Sequence, residues 1–115
     1  MYISHLQEKM STDKYQILRG RFFWELEHSL NDFEVLYYDN YKDAIIDSLR
    51  KALEIYQDPE GLCMQLNDLR IQSTRKKIFE DIEKIENLKN GNHDKYYYVY
   101  NDNHSEYHFR LVVVD

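Results

Sequence analysis

One cysteine, one proline and three glycines in 115 residues rule out several ways of making a protein work. A lone Cys63 cannot form an internal disulfide, and no Cys-His or Cys-Cys spacing beside it suggests zinc or redox chemistry, so it reads as a buried structural thiol in a reducing compartment. Three glycines exclude a Gly-rich phosphate loop, and one proline excludes a Pro-rich linker. No apolar run approaches the roughly twenty residues that cross a bilayer. The start, Met1-Tyr-Ile-Ser-His-Leu-Gln-Glu-Lys, has no signal-peptide core, so the expectation is a cytoplasmic protein. A surplus of basic charge is also missing. The formal net charge is −6, and the only concentrated cations are Arg75-Lys76-Lys77, flanked by Glu80, Asp81 and Glu83. That cluster reads as a solvated helix face, and the acidic balance argues against direct nucleic-acid binding and for a partner with a basic surface.

The chain does have aromatic residues and enough apolar residues for one core. Hydrophobic residues make up 43% and charged residues 31%, which fits a folded domain under a heavily solvated surface and speaks against disorder throughout. The length suits one domain, residues 1–115, and not two. There are eleven tyrosines, five of them between Tyr96 and Tyr107.

The reading of the elements runs from helix to hairpin. Ser11-Thr12-Asp13 can cap a first helix whose apolar stripe is Tyr15, Leu18, Phe22, Leu26, Leu30 and Phe33, interrupted only by Gly20. It should end near Asn31-Asp32. Residues 33–38 are either its last turns or a short strand rich in aromatic and β-branched types. Asn40, followed by Asp43, can cap a second helix with Ile45, Leu49, Ala52, Leu53 and Tyr56 inward, and Asp58-Pro59-Glu60-Gly61 stops it. From 62 to 88 the stripes Leu62, Leu66, Leu69 and Ile78, Ile82, Ile85 point roughly 200° apart at 100° per residue. We therefore expect a break or bend near Gln72-Ser73-Thr74, the alternative being one long helix whose second stripe meets another molecule.

Asn90-Gly91-Asn92 closes this region, and two alternating runs, 95–100 and 105–114, then pair through Asp102-Asn103 as a C-terminal antiparallel hairpin. In that register Tyr96 faces Phe109 and Tyr98 faces Tyr107. One face holds Tyr96, Tyr98, Tyr107, Phe109, Leu111 and Val113 and is assigned to the core; Tyr97, Val99, His108 and Arg110 lie on the other. The expected fold class is α+β, three or four helices followed by this hairpin, with residues 33–38 or a second subunit covering the valines at its end.

Little in the sequence carries chemistry. His93, Asp94, His104, Glu106 and His108 gather in the hairpin, but the alternation of a strand scatters them, so no metal and no cofactor is expected. Arg21 and His28 have six residues between them. This spacing resembles the Arg-x(4–6)-His motif of the helical HEPN ribonucleases, and the resemblance implies a small ribonuclease or toxin with Arg21 stabilising phosphodiester charge and His28 moving the proton. The residue after the arginine, usually polar in that family, is Phe22 here.

The leading expectation is a non-enzymatic protein-binding module of the inhibitor kind, with the size and charge of immunity proteins, antitoxins and phage anti-defence proteins such as anti-CRISPRs. Its contact residues would be Tyr37, Tyr38, Tyr41, Tyr97, Tyr100, His108 and Arg110, because interfaces favour rings that keep a polar tip. Carboxylates along residues 25–60 and the hairpin tyrosines would together occlude a basic groove on a larger protein. A homo-oligomeric structural protein is a further alternative.

Overall fold

The computed structural model describes residues 5–6, 9–23, 30–57, 69–88, 95–102 and 105–114. They form three strands, two helices and two more strands. After a two-residue strand, β1 (His5–Leu6), come β2 (Tyr15–Phe23) and β3 (Leu30–Tyr38), then α1 (Tyr41–Ile55) and α2 (Leu69–Glu86), then β4 (Tyr97–Asn101) and β5 (Ser105–Val113). The sheet order is β1-β3-β2-β5-β4, with β1 parallel to β3 and every other pair antiparallel. Among the described residues no helix is long and apolar enough to cross a membrane.

This corrects the expected fold class. The first helix is replaced by the hairpin β2–β3, so the described chain has two helices, and the C-terminal hairpin is not alone because β5 pairs with β2 along nine residues. The physical reason lies in β2. Tyr15, Ile17, Arg19 and Arg21 point toward the helices, while Gln16, Leu18, Gly20 and Phe22 point away. Two arginines at inward positions hide the two-residue period, and Leu18 and Phe22 then mimic a helical stripe with Tyr15. Ring-bearing and β-branched types around Gly20 favour the pleated backbone, where a helix would lose about 1 kcal/mol at the glycine. Opposite Gly20 the register of β3 slips by one residue, a bulge between the pairs Arg19↔Glu34 and Arg21↔Asn31.

The second expected helix is α1. Asn40 caps it, Oδ1 accepting from the Asp43 N–H at 2.8 Å, and Ala44, Ile45, Leu49 and Ala52 are fully buried. The helix α2 runs unbroken through residues 72–74, which overturns the expected bend. Thr74, Ile78, Asp81 and Ile85 form its buried stripe; Leu62 and Leu66, which suggested the bend, lie outside the described residues. Both helices cover the same face of the sheet. The core between them holds Ile17, Leu36, Tyr98, Phe109 and Leu111 from the sheet, with Ile45, Leu49, Tyr56 and Ile78 from the helices. Each aliphatic side chain buried there contributes roughly 1.5–3 kcal/mol.

The hairpin register differs from the expected one by two residues. Tyr98 faces Phe109, their rings stacked at 4.8 Å, and Tyr100 faces Tyr107. Side chains alternate with period two, so this slip keeps the assigned inward face. It moves Tyr96 and Val113 out to 41% and 54% exposure and brings Tyr100 in at 2%.

Candidate functional site

The helices cover one face of the sheet, and no described element covers the other. On that second face Gly20 of β2 sits opposite His108 of β5, and Leu18 opposite Arg110, which in turn faces Tyr97 of β4. Since Gly20 has no side chain, a recess opens there, lined by Leu18, Arg19, Gly20, Phe33, Tyr97, His108 and Arg110. The Tyr97 ring lies 6.2 Å from the His108 ring, and the Arg110 guanidinium carbon lies 5.8 Å from the Tyr97 centroid. Tyr97 is 47% exposed and Phe22, farther along β2, 38%. The surface is therefore an aromatic ridge with a cation stacked on it, beside a hollow floored by backbone, which suits the reception of an apolar side chain.

The fold brings together three of the seven proposed contact residues: Tyr97, His108 and Arg110. Tyr37 shares their face, two strands away, where its hydroxyl accepts from Gln16 Nε2 at 3.0 Å. The other three require correction. Tyr38 points to the helix side and donates to Asp47, and burial followed by that hydrogen bond pushes its phenol well above the usual range. Tyr41 is 6% exposed, with its hydroxyl donating to the Lys95 carbonyl at 3.1 Å. Tyr100 is in the core and donates to Asp81 at 2.5 Å. Leu18, Gly20, Phe22 and Phe33 escape the sequence pattern as site residues because the spacing of Leu18, Phe22 and Phe33 fits a helical stripe as well as it fits the strands they form. The available signal was a glycine amid rings and branched chains.

One carboxylate, that of Glu106 opposite Phe22, lies half-buried on the helix-free face, and those of the helices lie elsewhere. Asp43 and Glu54 on α1 and Glu80, Glu83 and Glu86 on α2 are exposed on the helix layer, behind the sheet from Tyr97. The described carboxylates of the two helices thus do not share a surface with Tyr97.

Compared with protein-family models, curated proteins and solved structures, the chain has no match.

The other sequence candidates are not assembled among the described residues. Arg21 is on a strand, not a helix; its Nε donates to Ser105 Oγ at 3.2 Å, and its guanidinium lies 5.9 Å from the Tyr56 ring centroid. The helical spacing behind the ribonuclease resemblance is lost with it, and His28 lies outside the described residues. His93, Asp94 and His104 also lie outside, and no three His, Cys, Asp or Glu among the described residues could hold a metal ion. The basic cluster divides: Arg75 donates to the Leu53 and Tyr56 carbonyls at the end of α1, while Lys76 and Lys77 are exposed.

Proposed function

We propose that the protein is a non-enzymatic binding module of the inhibitor kind that grips a larger protein through the helix-free face of its sheet. The observation that supports this reading is the cluster of Tyr97, His108 and Arg110 around the recess over Gly20. An antiparallel sheet normally presents polar residues on a face it leaves to water, and this one presents a ring, a stacked guanidinium and a hollow. Tyrosine and arginine are the residue types that carry most energy in protein contacts. The net charge of −6 acts at longer range, drawing in a partner whose surface is basic overall while the ridge makes the close contact. Occlusion of the partner's groove is then the inhibitory act.

Co-purification from the native host, followed by mass spectrometry, tests the proposal. Wild-type protein retains a larger basic protein, and Tyr97→Ala and Arg110→Ala, both exposed positions, release it while the fold persists by circular dichroism. Retention unchanged in both variants contradicts the proposal, as does recovery of the chain alone.

A further inference from the structure

The sheet ends on β4, and its outer rim is a second feature distinct from the face. Leu111 N donates to the Tyr96 carbonyl at 2.8 Å, and Asp102 N to the Ser105 carbonyl at 3.0 Å. In an antiparallel ladder this means that the even-numbered residues of β4 exchange bonds with β5, and that Tyr97, Val99 and Asn101 turn their backbone groups outward. Two outward carbonyls are taken, Lys95 by the Tyr41 hydroxyl and Asn101 by Thr74 Oγ1. Between them the N–H and C=O groups of Tyr97 and Val99 have no partner among the described residues.

Cations surround this short rim. Lys77 Nζ lies 5.7 Å from the Tyr100 ring centroid and Lys95 Nζ lies 4.4 Å from that of Tyr98, while Arg70 Nη1 donates to Asn101 Oδ1 at 2.9 Å. A polar recess between α2 and the rim is lined by Arg70, Ser73, Thr74, Lys77, Val99 and Asn101. The carboxylates of Asp81 and Asp102 are buried and engaged with Tyr100 and Ser105, whereas Arg70, Lys77 and Lys95 are exposed, so the charged groups offered to an incoming strand at this rim are cations.

The geometry points to strand addition: an extended acidic segment of another protein lies along β4, closes the backbone bonds of Tyr97 and Val99, and sets a carboxylate at every second residue against Lys77, Lys95 and Arg70. This goes beyond the face described above and does not depend on it. Main-chain bonds supply affinity in such a mode and alternate side chains supply specificity. A second copy is the wrong occupant. Two-fold pairing of β4 with itself would set the cationic strip against its own image.

The test uses the full chain and a capped peptide of roughly eight residues alternating glutamate and threonine, a length that covers the strand. Two controls are its lysine–threonine counterpart and the same glutamate peptide N-methylated on alternate backbone amides. Fluorescence anisotropy should show the glutamate peptide binding, the lysine peptide failing to bind, and N-methylation abolishing the interaction; NMR should place the largest amide shifts at Tyr97 and Val99. Arg70→Gln with Lys77→Gln, at exposed positions whose fold is checked by circular dichroism, should weaken binding about tenfold or more. Equal binding of the two charge types, indifference to N-methylation, no binding at roughly millimolar peptide, or a β4-paired dimer by sedimentation would each overturn the inference.

Discussion

Arg19 Nε meets Glu34 Oε2 at 2.5 Å across β2 and β3, on the face that the helices cover. The arginine side chain is 8% exposed and the glutamate 18%, and the same guanidinium donates to Ser48 Oγ on α1 at 3.3 Å. An ion pair this enclosed contributes little net stability but is costly to break on one side. Arg19→Met alone should destabilise by roughly 3–5 kcal/mol in urea unfolding, because it leaves the Glu34 carboxylate without its countercharge. Arg19→Met with Glu34→Leu should recover most of that. Equal losses in the single and double variants would show that Arg19 matters for packing and not for charge.

Two core tyrosines should respond in opposite ways to removal of the hydroxyl. Tyr107 is 2% exposed, and its hydroxyl is buried without a partner among the described residues, whereas that of Tyr100 donates to the buried Asp81 carboxylate. Tyr107→Phe removes an unmet polar group and should be neutral or stabilising, by up to about 1 kcal/mol; Tyr100→Phe should cost about 1.5–3 kcal/mol. Thermal melts of the two variants check this. A Tyr107→Phe loss as large as that of Tyr100→Phe would mean that the hydroxyl has a partner.

Alkaline pH should unfold the domain through its phenols. Burial pushes Tyr56 up to about 12, and burial also drives Tyr38, Tyr100 and Tyr107 above the usual range for a tyrosine. A raised pKa in the folded state means that the stabilisation is complete below the unfolded value of about 10 and is lost as pH climbs through it toward the folded values. Phenolate absorbance from these four should therefore appear together with loss of the helical circular dichroism signal. Full ionisation of all eleven tyrosines with that signal intact would contradict the prediction.

The cap of α1 provides a local test. Asn40→Ala should cost about 1 kcal/mol and Asn40→Gly only a few tenths, because glycine tolerates the extended cap geometry while also lacking the side-chain acceptor. Urea midpoints of the two variants check the order. Equal losses would mean that the side-chain acceptor lost in both variants sets the whole cost and that the backbone geometry of the cap adds nothing.

Parts of this fold were legible where one physical signal stood alone. The cap and stripe of α1 were readable because Asn40, Asp43, Ile45, Leu49 and Ala52 agree on one helix. The hairpin's inward face survived a register error because a two-residue slip preserves side-chain direction. That same slip misplaced Tyr100, since burial depends on how far along the strand a residue stands as well as on its face. Tyr41 was misplaced because it opens α1, where its ring packs edge-on at 6.4 Å from that of Tyr15, a contact between elements distant in the chain. The pair β2–β3 was illegible because inward Arg19 finds its countercharge on another strand, so the apolar pattern marked the wrong period. Half of the site was lost with it. Tyr97, His108 and Arg110 came from the readable hairpin, and Leu18, Gly20 and Phe33 from the strands mistaken for helix.

The most direct test of the central claim is a calorimetric titration of the captured partner with two sets of variants on opposite faces. Tyr97→Ala and Arg110→Glu, on the helix-free face, should each weaken binding about tenfold or more, since ring and guanidinium anchors dominate protein contacts. Asp43→Asn and Glu54→Gln, on the helix layer, should change affinity less than that and chiefly alter its salt dependence. The reverse pattern, with affinity lost on the helix layer and kept on the sheet, would contradict the account.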